Sequence, residues 1–137
     1  MAQANWNQKI IEEFRANEGR VGGPFEGAPM VLLTTTGAKT GRSHTTPLMY
    51  LPEGDRVVVF GSKGGAPEHP QWFNNLVANP KVKIEVGTET HEATARVAEG
   101  EERERLYREQ ARRYPQFAEY QQKTSRQIPV VILEKAG

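Results

Sequence analysis

Cysteine is absent from the 137 residues of this chain, and that absence excludes disulfide bonds, thiolate metal sites and cysteine nucleophiles. Histidine is scarce, and the three histidines at positions 44, 69 and 91 do not have the spacing of metal ligands. We therefore expect no metal. No apolar run approaches the roughly 20 residues that a membrane span requires. Residues 1–14 are amphipathic and carry two glutamates, so we expect no signal peptide and a cytoplasmic protein.

A large excess of either charge is also lacking. The chain has 18 Lys and Arg residues against 17 Asp and Glu residues, which gives a formal net charge of +1. This balance gives no reason to expect a nucleic-acid partner. Runs of β-branched residues at 57–59 and 130–132 are too apolar for a disordered chain. The length predicts one domain with one core.

The apolar periodicity predicts a β-rich α+β fold. An amphipathic helix is expected over about residues 4–17, followed by a loop rich in glycine and proline. Further helices are predicted at about 70–78 and 100–114, with a shorter one after Pro115. Strands are predicted at about 30–36, 44–51, 56–61, 81–86, 90–97 and 128–133. The first three are joined by short turns and predict a meander. Because the strands outnumber the helices and form hairpins, a small antiparallel barrel with helices outside is favoured over a parallel sheet.

A basic turn with two glycines follows the first strand, in the segment TTTGAKTGRSH of residues 34–44. Gly37 and Gly41 permit positive φ, and consecutive turn amides can bind an anion. Lys39 and Arg42 add positive charge to the same turn. The turn therefore predicts a site for a phosphate or carboxylate, held by charge-assisted hydrogen bonds. The alternative is a solvated basic hairpin tip.

A second basic segment, Ser62 to Gly65, also follows a predicted strand. Two such loops at strand ends favour an anion site more than either does alone, although a flexible linker is the alternative for this one. In the helix that follows, Trp72 and Leu76 are four residues apart and predict core contacts. Asn75 in the same helix predicts a hydrogen bond to a loop or to a ligand.

Three aromatic residues, Tyr114, Phe117 and Tyr120, are spaced three apart across a proline. A stripe of this kind usually packs in a core, but it can also cover a planar ligand. Because Pro115 interrupts the helix, we expect a partly exposed lid. No Ser-His-Asp arrangement or carboxylate pair stands out in the sequence, so cofactor chemistry is favoured over hydrolysis.

Several segments together resemble the deazaflavin-dependent nitroreductase family. They occur in the family's order between about residues 30 and 133, at 32–42, 46–48, 62–65, 70–76, 78–82, 113–115 and 124–130. Members of that family are split β-barrels that bind coenzyme F420, an 8-hydroxy-5-deazaflavin with a phosphodiester and an oligoglutamate tail. The resemblance implies a single F420-binding split β-barrel domain over residues 1–137. In that domain, residues 1–29 form an N-terminal helix and loop, and residues 30–137 form the barrel core.

The resemblance also implies an F420H2-dependent reductase. Such an enzyme transfers a hydride to quinones, nitro compounds or α,β-unsaturated carbonyl compounds. The implied coenzyme-binding residues are Lys39, Thr40, Gly41, Arg42, His44, Thr45, Thr46, Pro47, Ser62, Lys63, Gly64, Gly65, Trp72 and Asn75. The substrate would lie against Met49, Phe117 and Tyr120. The proton or the hydrogen bond to the acceptor carbonyl would come from Ser62, Tyr50 or Tyr114.

Two alternatives stay open at this point. One is an FMN-dependent oxidoreductase on the same fold, because FMN also presents a flat ring and a phosphate. The other is a noncatalytic F420 carrier, whose ring face would be sealed without a substrate cavity. The expected partner is a small-molecule electron acceptor, and the N-terminal helix would contact the membrane if that acceptor is a membrane quinone. The sequence leaves the oligomeric state open.

Overall fold

The computed structural model of the chain describes residues 2–136, and at residues 2–6, 24 and 64 it describes the backbone alone. Four helices lie at α1 Ala2–Ala16, α2 Gln71–Ala78, α3 Gly100–Arg113 and α4 Gln116–Lys123. Seven strands lie at β1 Met30–Thr36, β2 Ser43–Met49, β3 Leu51–Glu53, β4 Arg56–Phe60, β5 Lys81–Val86, β6 Glu89–Val97 and β7 Val130–Lys135. Two short 3-10 helices, Gly23–Phe25 and Lys63–Gly65, lie in the loops.

All seven strands belong to one antiparallel sheet with the order β2-β1-β5-β6-β7-β4-β3. Strands β2 and β3 occupy its two ends, although only Tyr50 separates them in the chain. The sheet must therefore curl until its ends meet, which gives a half-barrel with helices outside. This confirms the predicted antiparallel barrel.

The predicted strand at 44–51 is confirmed as far as Met49, but its continuation to residue 51 and the three-stranded meander are wrong. The amide of Tyr50 makes a hydrogen bond to Pro29 at 3.1 Å on the β1 side, and the next residue, Leu51, pairs with Val58 of β4. The chain thus passes from one end of the sheet to the other at Tyr50. Strand β4 lies beside β3 and β7 rather than near β1, and the extra break raises the strand number from about six to seven.

Strands β4 and β7 are buried on both faces. Side chains alternate between the faces of a strand, and here each face has its own core. One core packs beneath α2, with Val57, Val59, Val131, Leu133, Trp72 and Leu76 among its buried members. The other packs beneath α3 and α4, with Val58, Phe60, Val130, Ile132, Leu106 and Phe117 among its members. Burial on both faces accounts for the continuous apolar runs at 57–59 and 130–132.

Helix α1 covers a third part of the core. Ile10, Ile11 and Phe14 are buried together with Met30 and Leu32 of β1. The apolar side of this part of α1 is therefore already covered by the barrel, so the expectation that it contacts a membrane gains no support from these residues. Across residues 2–136, no helix is long and apolar enough to cross a membrane.

Candidate active site

A cleft of about 540 Å³ lies where β2, the loop after β4, the start of α2 and helix α4 meet. Its volume is in the range typical of small-molecule sites. Its lining residues are Asn7, Phe25, Thr46, Pro47, Leu48, Met49, Phe60, Ser62, Lys63, Pro70, Gln71, Trp72, Gln116, Phe117 and Tyr120. A larger cavity of about 950 Å³ lies between α1 and the loop up to Pro29, but no residue predicted for the site lines it.

Aromatic side chains form one wall of the 540 Å³ cleft. The ring of Phe117 lies 5.7 Å from that of Phe60 and 5.2 Å from that of Tyr120, both in edge-to-face contact. Trp72 completes the aromatic lining and is only 7% exposed. Such a wall suits a flat organic ring.

The expectation of a partly exposed lid is wrong for Phe117, which is 6% exposed and belongs to the core beneath α3 and α4. Its ring fills the space beside Phe60 and Tyr107, so the proline break redirects the helix without exposing the aromatic ring. Phe117 and Tyr120 still line the cleft, whereas Tyr114 packs against the same core outside it.

The basic turn at residues 37–42 is tightly folded on itself. The amide of Gly37 donates to the carbonyl of Arg42 at 2.7 Å, and the amide of Gly41 donates back to the carbonyl of Gly37 at 3.0 Å. A third amide, that of Ala38, donates to the Asn75 side chain at 3.1 Å. Because these three amides already have hydrogen-bond partners, they cannot bind an anion. The predicted anion site of consecutive turn amides therefore lacks the amides of Gly37, Ala38 and Gly41.

The cations of this turn point outward. Lys39 and Arg42 are exposed, and neither forms an ion pair with any residue whose side chain is described. The hydroxyl oxygen of Thr40 accepts a hydrogen bond of 3.2 Å from the amide of Arg42. His44 is exposed at the start of β2.

Two elements join the basic turn to the cleft. Asn75, which bonds the turn, lies one helical turn after Gln71, which lines the cleft, so the two are about 6 Å apart along α2. Along β2, Ser43 and Thr46 are about 10 Å apart. The cations thus stand at one end of the cleft, at a distance that suits an elongated ligand with a ring and an anionic tail.

The second basic loop borders the cleft directly. Lys63 has a positive φ of 46°, and its ammonium lies 3.0 Å from a carboxylate oxygen of Glu68. Gly65 has a φ of 85°, and a Cβ at this position would lie 2.9 Å from the carbonyl oxygen of Tyr120. The close approach of α4 therefore requires glycine here. Gly64 lies between them in the same 3-10 helix.

Arg126 holds this second loop from behind, a role that was not predicted for the segment at 124–130. Its guanidinium donates to the carbonyl oxygens of Gly61, Ser62 and Ala66 at 3.1, 3.0 and 2.9 Å. It also lies 3.0 Å from Nδ1 of His69. Burial, together with the nearby Arg126 charge, lowers the pKa of His69 below its ordinary value, so the ring is neutral at pH 7 and Nδ1 can accept a hydrogen bond.

Of the three candidate proton donors, only Ser62 lines the cleft. Tyr50 packs in the core beneath α2, where burial raises the pKa of its phenol, and Tyr114 lies on the opposite side of the sheet. Among the coenzyme candidates, Thr46, Pro47, Lys63 and Trp72 line the cleft. Thr45 instead shares a hydroxyl hydrogen bond of 2.8 Å with Thr34 on β1.

Seven further lining residues were not among the predicted site residues: Asn7, Phe25, Leu48, Phe60, Pro70, Gln71 and Gln116. Of these residues, only Phe25 could have been suspected from the sequence, because it is the single aromatic residue in a loop rich in glycine and proline. Among the residues with described side chains, no cluster of three His, Asp or Glu residues could hold a metal.

An antiparallel half-barrel with an aromatic cleft beside a turn of unpaired cations defines a class of small coenzyme-binding barrels. Comparison with known proteins gives the family. The family model of the F420H(2)-dependent quinone reductases matches residues 6–135. An F420H(2)-dependent quinone reductase of Mycobacterium tuberculosis (strain ATCC 25618 / H37Rv) is 42% identical over 129 residues, which are 89% of this chain and 85% of the relative.

Solved structures agree. One of an F420-H2-dependent reductase is 48% identical, with a TM-score of 0.72 over 77% of this chain and 94% of the other. Another, described as a domain-swapped dimer, is 41% identical, with a TM-score of 0.74 over 96% and 99% of the two chains. The chain belongs to the F420H(2)-dependent quinone reductase family. The predicted family, coenzyme F420 and reductase class are thereby confirmed, and FMN is set aside.

Proposed function

We propose that this chain reduces a quinone with F420H2, the ring of the coenzyme lying in the 540 Å³ cleft and its anionic tail along the turn at 37–42. One observation carries the proposal: an aromatic cleft adjoins a turn whose two cations, Lys39 and Arg42, have no carboxylate partner among the described side chains. Nitro compounds and α,β-unsaturated carbonyl compounds present a similar electrophilic centre, so the proposal includes them as substrates.

The residues of the cleft fit this coenzyme. Lys39 and Arg42 are suited to a phosphodiester and to carboxylates, because guanidinium and ammonium groups bind such anions through charge-assisted hydrogen bonds. Thr46, Pro47 and Trp72 offer a wall for a flat ring. When bound, F420H2 supplies the hydride. The protein contributes the binding and orientation of the two reactants.

The acceptor would lie against Met49, Phe117 and Tyr120, which face the cleft from β2 and α4. A rigid aromatic surface holds a quinone ring in one orientation and excludes water from its face. We assign the hydrogen bond to the acceptor carbonyl to the hydroxyl of Ser62, because Ser62 is the only one of the three predicted donors that lines the cleft.

A reductase is favoured over a noncatalytic carrier because the cleft is open at α4. The lining residues Ser62, Gln116 and Tyr120 are all partly exposed, so a second small molecule has access to the wall. A carrier that only stores the coenzyme would instead bury this face.

We propose that residues 1–137 act as one domain, because Asn7 and Phe25 from the N-terminal segment line the same cleft as the barrel residues. The proposed partner is the small-molecule acceptor. A solved relative is described as a domain-swapped dimer, and light scattering would measure whether this chain forms dimers too. A cytoplasmic location stays a prediction.

Titration of the purified chain with F420 and with FMN, followed by fluorescence, tests the coenzyme. We expect saturable binding of F420, much weaker binding of FMN, and oxidation of F420H2 when menadione is added. Equal or tighter binding of FMN would overturn the coenzyme assignment. Tight F420 binding without turnover of menadione, nitro compounds or enones would favour the carrier.

A further inference from the structure

We propose that Arg126 is a positioning residue that turns the backbone amides of Ser62 and Lys63 toward the cleft, where they donate hydrogen bonds to the coenzyme. The inference rests on the proposed function and adds a part of the site that lies behind the cleft. Arg126 itself is not among the cleft-lining residues; it acts through the loop that it holds.

The direction of the two amides follows from the geometry of the peptide unit. A peptide is planar and trans, so its N–H points away from its C=O. The carbonyls of Gly61 and Ser62 both accept hydrogen bonds from Arg126. The N–H groups of the same two peptides, which belong to Ser62 and Lys63, therefore point away from Arg126, and both residues line the cleft.

These amides are available to a ligand. Neither donates to another group in the described part of the chain, whereas the amides of Gly65 and Ala66 close the 3-10 helix onto the carbonyls of Ser62 and Lys63 at 2.8 and 3.1 Å. Two adjacent unpaired N–H groups form a small donor pair of the kind that binds an anion or a carbonyl oxygen. A bound carbonyl or anionic oxygen of the coenzyme would satisfy both.

The loop needs an external support in order to keep this shape. Lys63 holds a positive φ of 46°, which costs a non-glycine residue free energy and persists only where its surroundings enforce it. Arg126 is suited to this task because its planar guanidinium presents five N–H donors in a fixed fork. Its partners are three carbonyls and His69, with no ion pair to a described carboxylate, so its orientation is set by the loop.

The first test compares Arg126→Lys with Arg103→Lys in the full chain. Arg103 is buried, whereas Arg126 is partly buried. Arg103 also bonds a backbone carbonyl, that of Ile128, at 2.7 and 3.2 Å, but its hydrogen bonds do not include the loop. We expect Arg126→Lys to raise the F420 dissociation constant about tenfold, which corresponds to the loss of one charge-assisted hydrogen bond. Backbone exchange of residues 62–66 should quicken in the same variant, measured without coenzyme. Arg103→Lys should lower the melting temperature without changing coenzyme affinity per folded molecule.

The second test removes one amide donor directly. Ser62 has a φ of −73°, which proline adopts without strain, so Ser62→Pro deletes the N–H while Ser62→Ala deletes only the hydroxyl. We expect the proline variant to bind F420 several-fold more weakly than the alanine variant, by the loss of one hydrogen bond.

The outcomes separate the two proposals. A wild-type chain that does not bind F420 overturns the proposed function. If the wild type binds, equal affinities of the proline and alanine variants overturn the inference about the amides. Unchanged affinity and exchange in Arg126→Lys, or an equal loss in Arg103→Lys, overturns the role of Arg126.

Discussion

The side chain of Asn75 connects helix α2 to the basic turn, because its Oδ1 accepts a hydrogen bond of 3.1 Å from the amide of Ala38. Its amide nitrogen donates to the hydroxyl of Thr35 at 3.3 Å. Asn75 is 2% exposed and Thr35 is 1% exposed, so removal of the Asn75 side chain leaves the buried Thr35 hydroxyl without this partner.

Asn75→Ala should therefore lower the free energy of unfolding by about 1–3 kcal/mol, the usual cost of leaving buried polar groups without partners. Coenzyme affinity should fall as well, because the basic turn loses its anchor on α2. Urea unfolding and F420 titration measure the two effects. Asn74→Ala, at an exposed position of the same helix, is the control and should change stability by no more than about 0.5 kcal/mol.

Lys39→Ala should weaken F420 binding by about 1.5–3 kcal/mol if the ammonium bonds an anionic group of the coenzyme. The effect should shrink at high salt, since screening already weakens the native contact. Titrations at low and high ionic strength measure it. Lys135→Ala at the end of β7 is the matched control. An unchanged dissociation constant at low salt would show that Lys39 belongs to a solvated hairpin tip and does not bind the coenzyme.

Glu68→Gln should tighten F420 binding, because the Glu68 carboxylate now holds the Lys63 ammonium at 3.0 Å. Both side chains are largely exposed, and exposed ion pairs of this kind contribute little. The expected gain in affinity is therefore no more than about fivefold. Glu89→Gln, an exposed carboxylate on β6, controls for the change in net charge. Weaker F420 binding by Glu68→Gln would contradict the hypothesis that the Glu68 carboxylate and the coenzyme compete for the Lys63 ammonium.

Phe117→Ala should destabilise the protein by about 3–5 kcal/mol, because the ring is buried between Phe60 and Tyr120 and its removal leaves a cavity. Turnover of menadione per folded molecule should also fall, since the same ring lines the cleft. Melting temperature and the steady-state rate measure the two effects. A small change in melting temperature would mean that the ring is a mobile cover after all.

The His69 ring makes stability depend on pH. Its pKa in the folded chain lies below the ordinary value of 6.5 through burial and the Arg126 charge, so the unfolded chain binds more protons between those two values. Its contribution to stability is therefore present above about pH 6.5 and is lost as the pH falls toward the folded pKa. The melting temperature of the wild type should drop more from pH 7.5 to 5 than that of His69→Gln. Parallel curves would show that His69 does not titrate in this way.

Local patterns predicted the parts of the fold that depend on local forces. The strand at 30–36 and the helix at 70–78 agree with the structure within a residue, because β-branched content determines the first and the following Asn-Pro pair ends the second. The break at Tyr50 was missed, because the residues around it are as β-prone as a continuous strand. The break is visible only in the pairing, because β2 pairs with β1 before Tyr50 and β3 pairs with β4 after it.

The candidate site, like the fold, could be predicted only where its residues are close together in the sequence. The two basic loops were visible because their glycines and cations are adjacent in the sequence. The role of Arg126 was not visible, although segment 124–130 belongs to the resemblance, since its partners are 57 to 65 residues away and a single arginine before an apolar strand does not indicate what it binds. Phe117 was misjudged because a proline in a helix marks a change of direction, whereas burial depends on what packs against the redirected segment.

The single-residue link between β2 and β3 also determines how the chain can fold. The two hairpins on either side of Tyr50 need only local contacts, but the ring is completed by β4 and β7, which pair Val57 with Leu133 across more than half of the chain. Closing so long a loop costs conformational entropy before the contacts that offset this cost can form. Folding should therefore take milliseconds to seconds rather than microseconds. Until residues 130–135 have been synthesised, β4 and β6 each present an unpaired edge, and that of β4 is apolar, so the nascent chain is most exposed to aggregation during that interval.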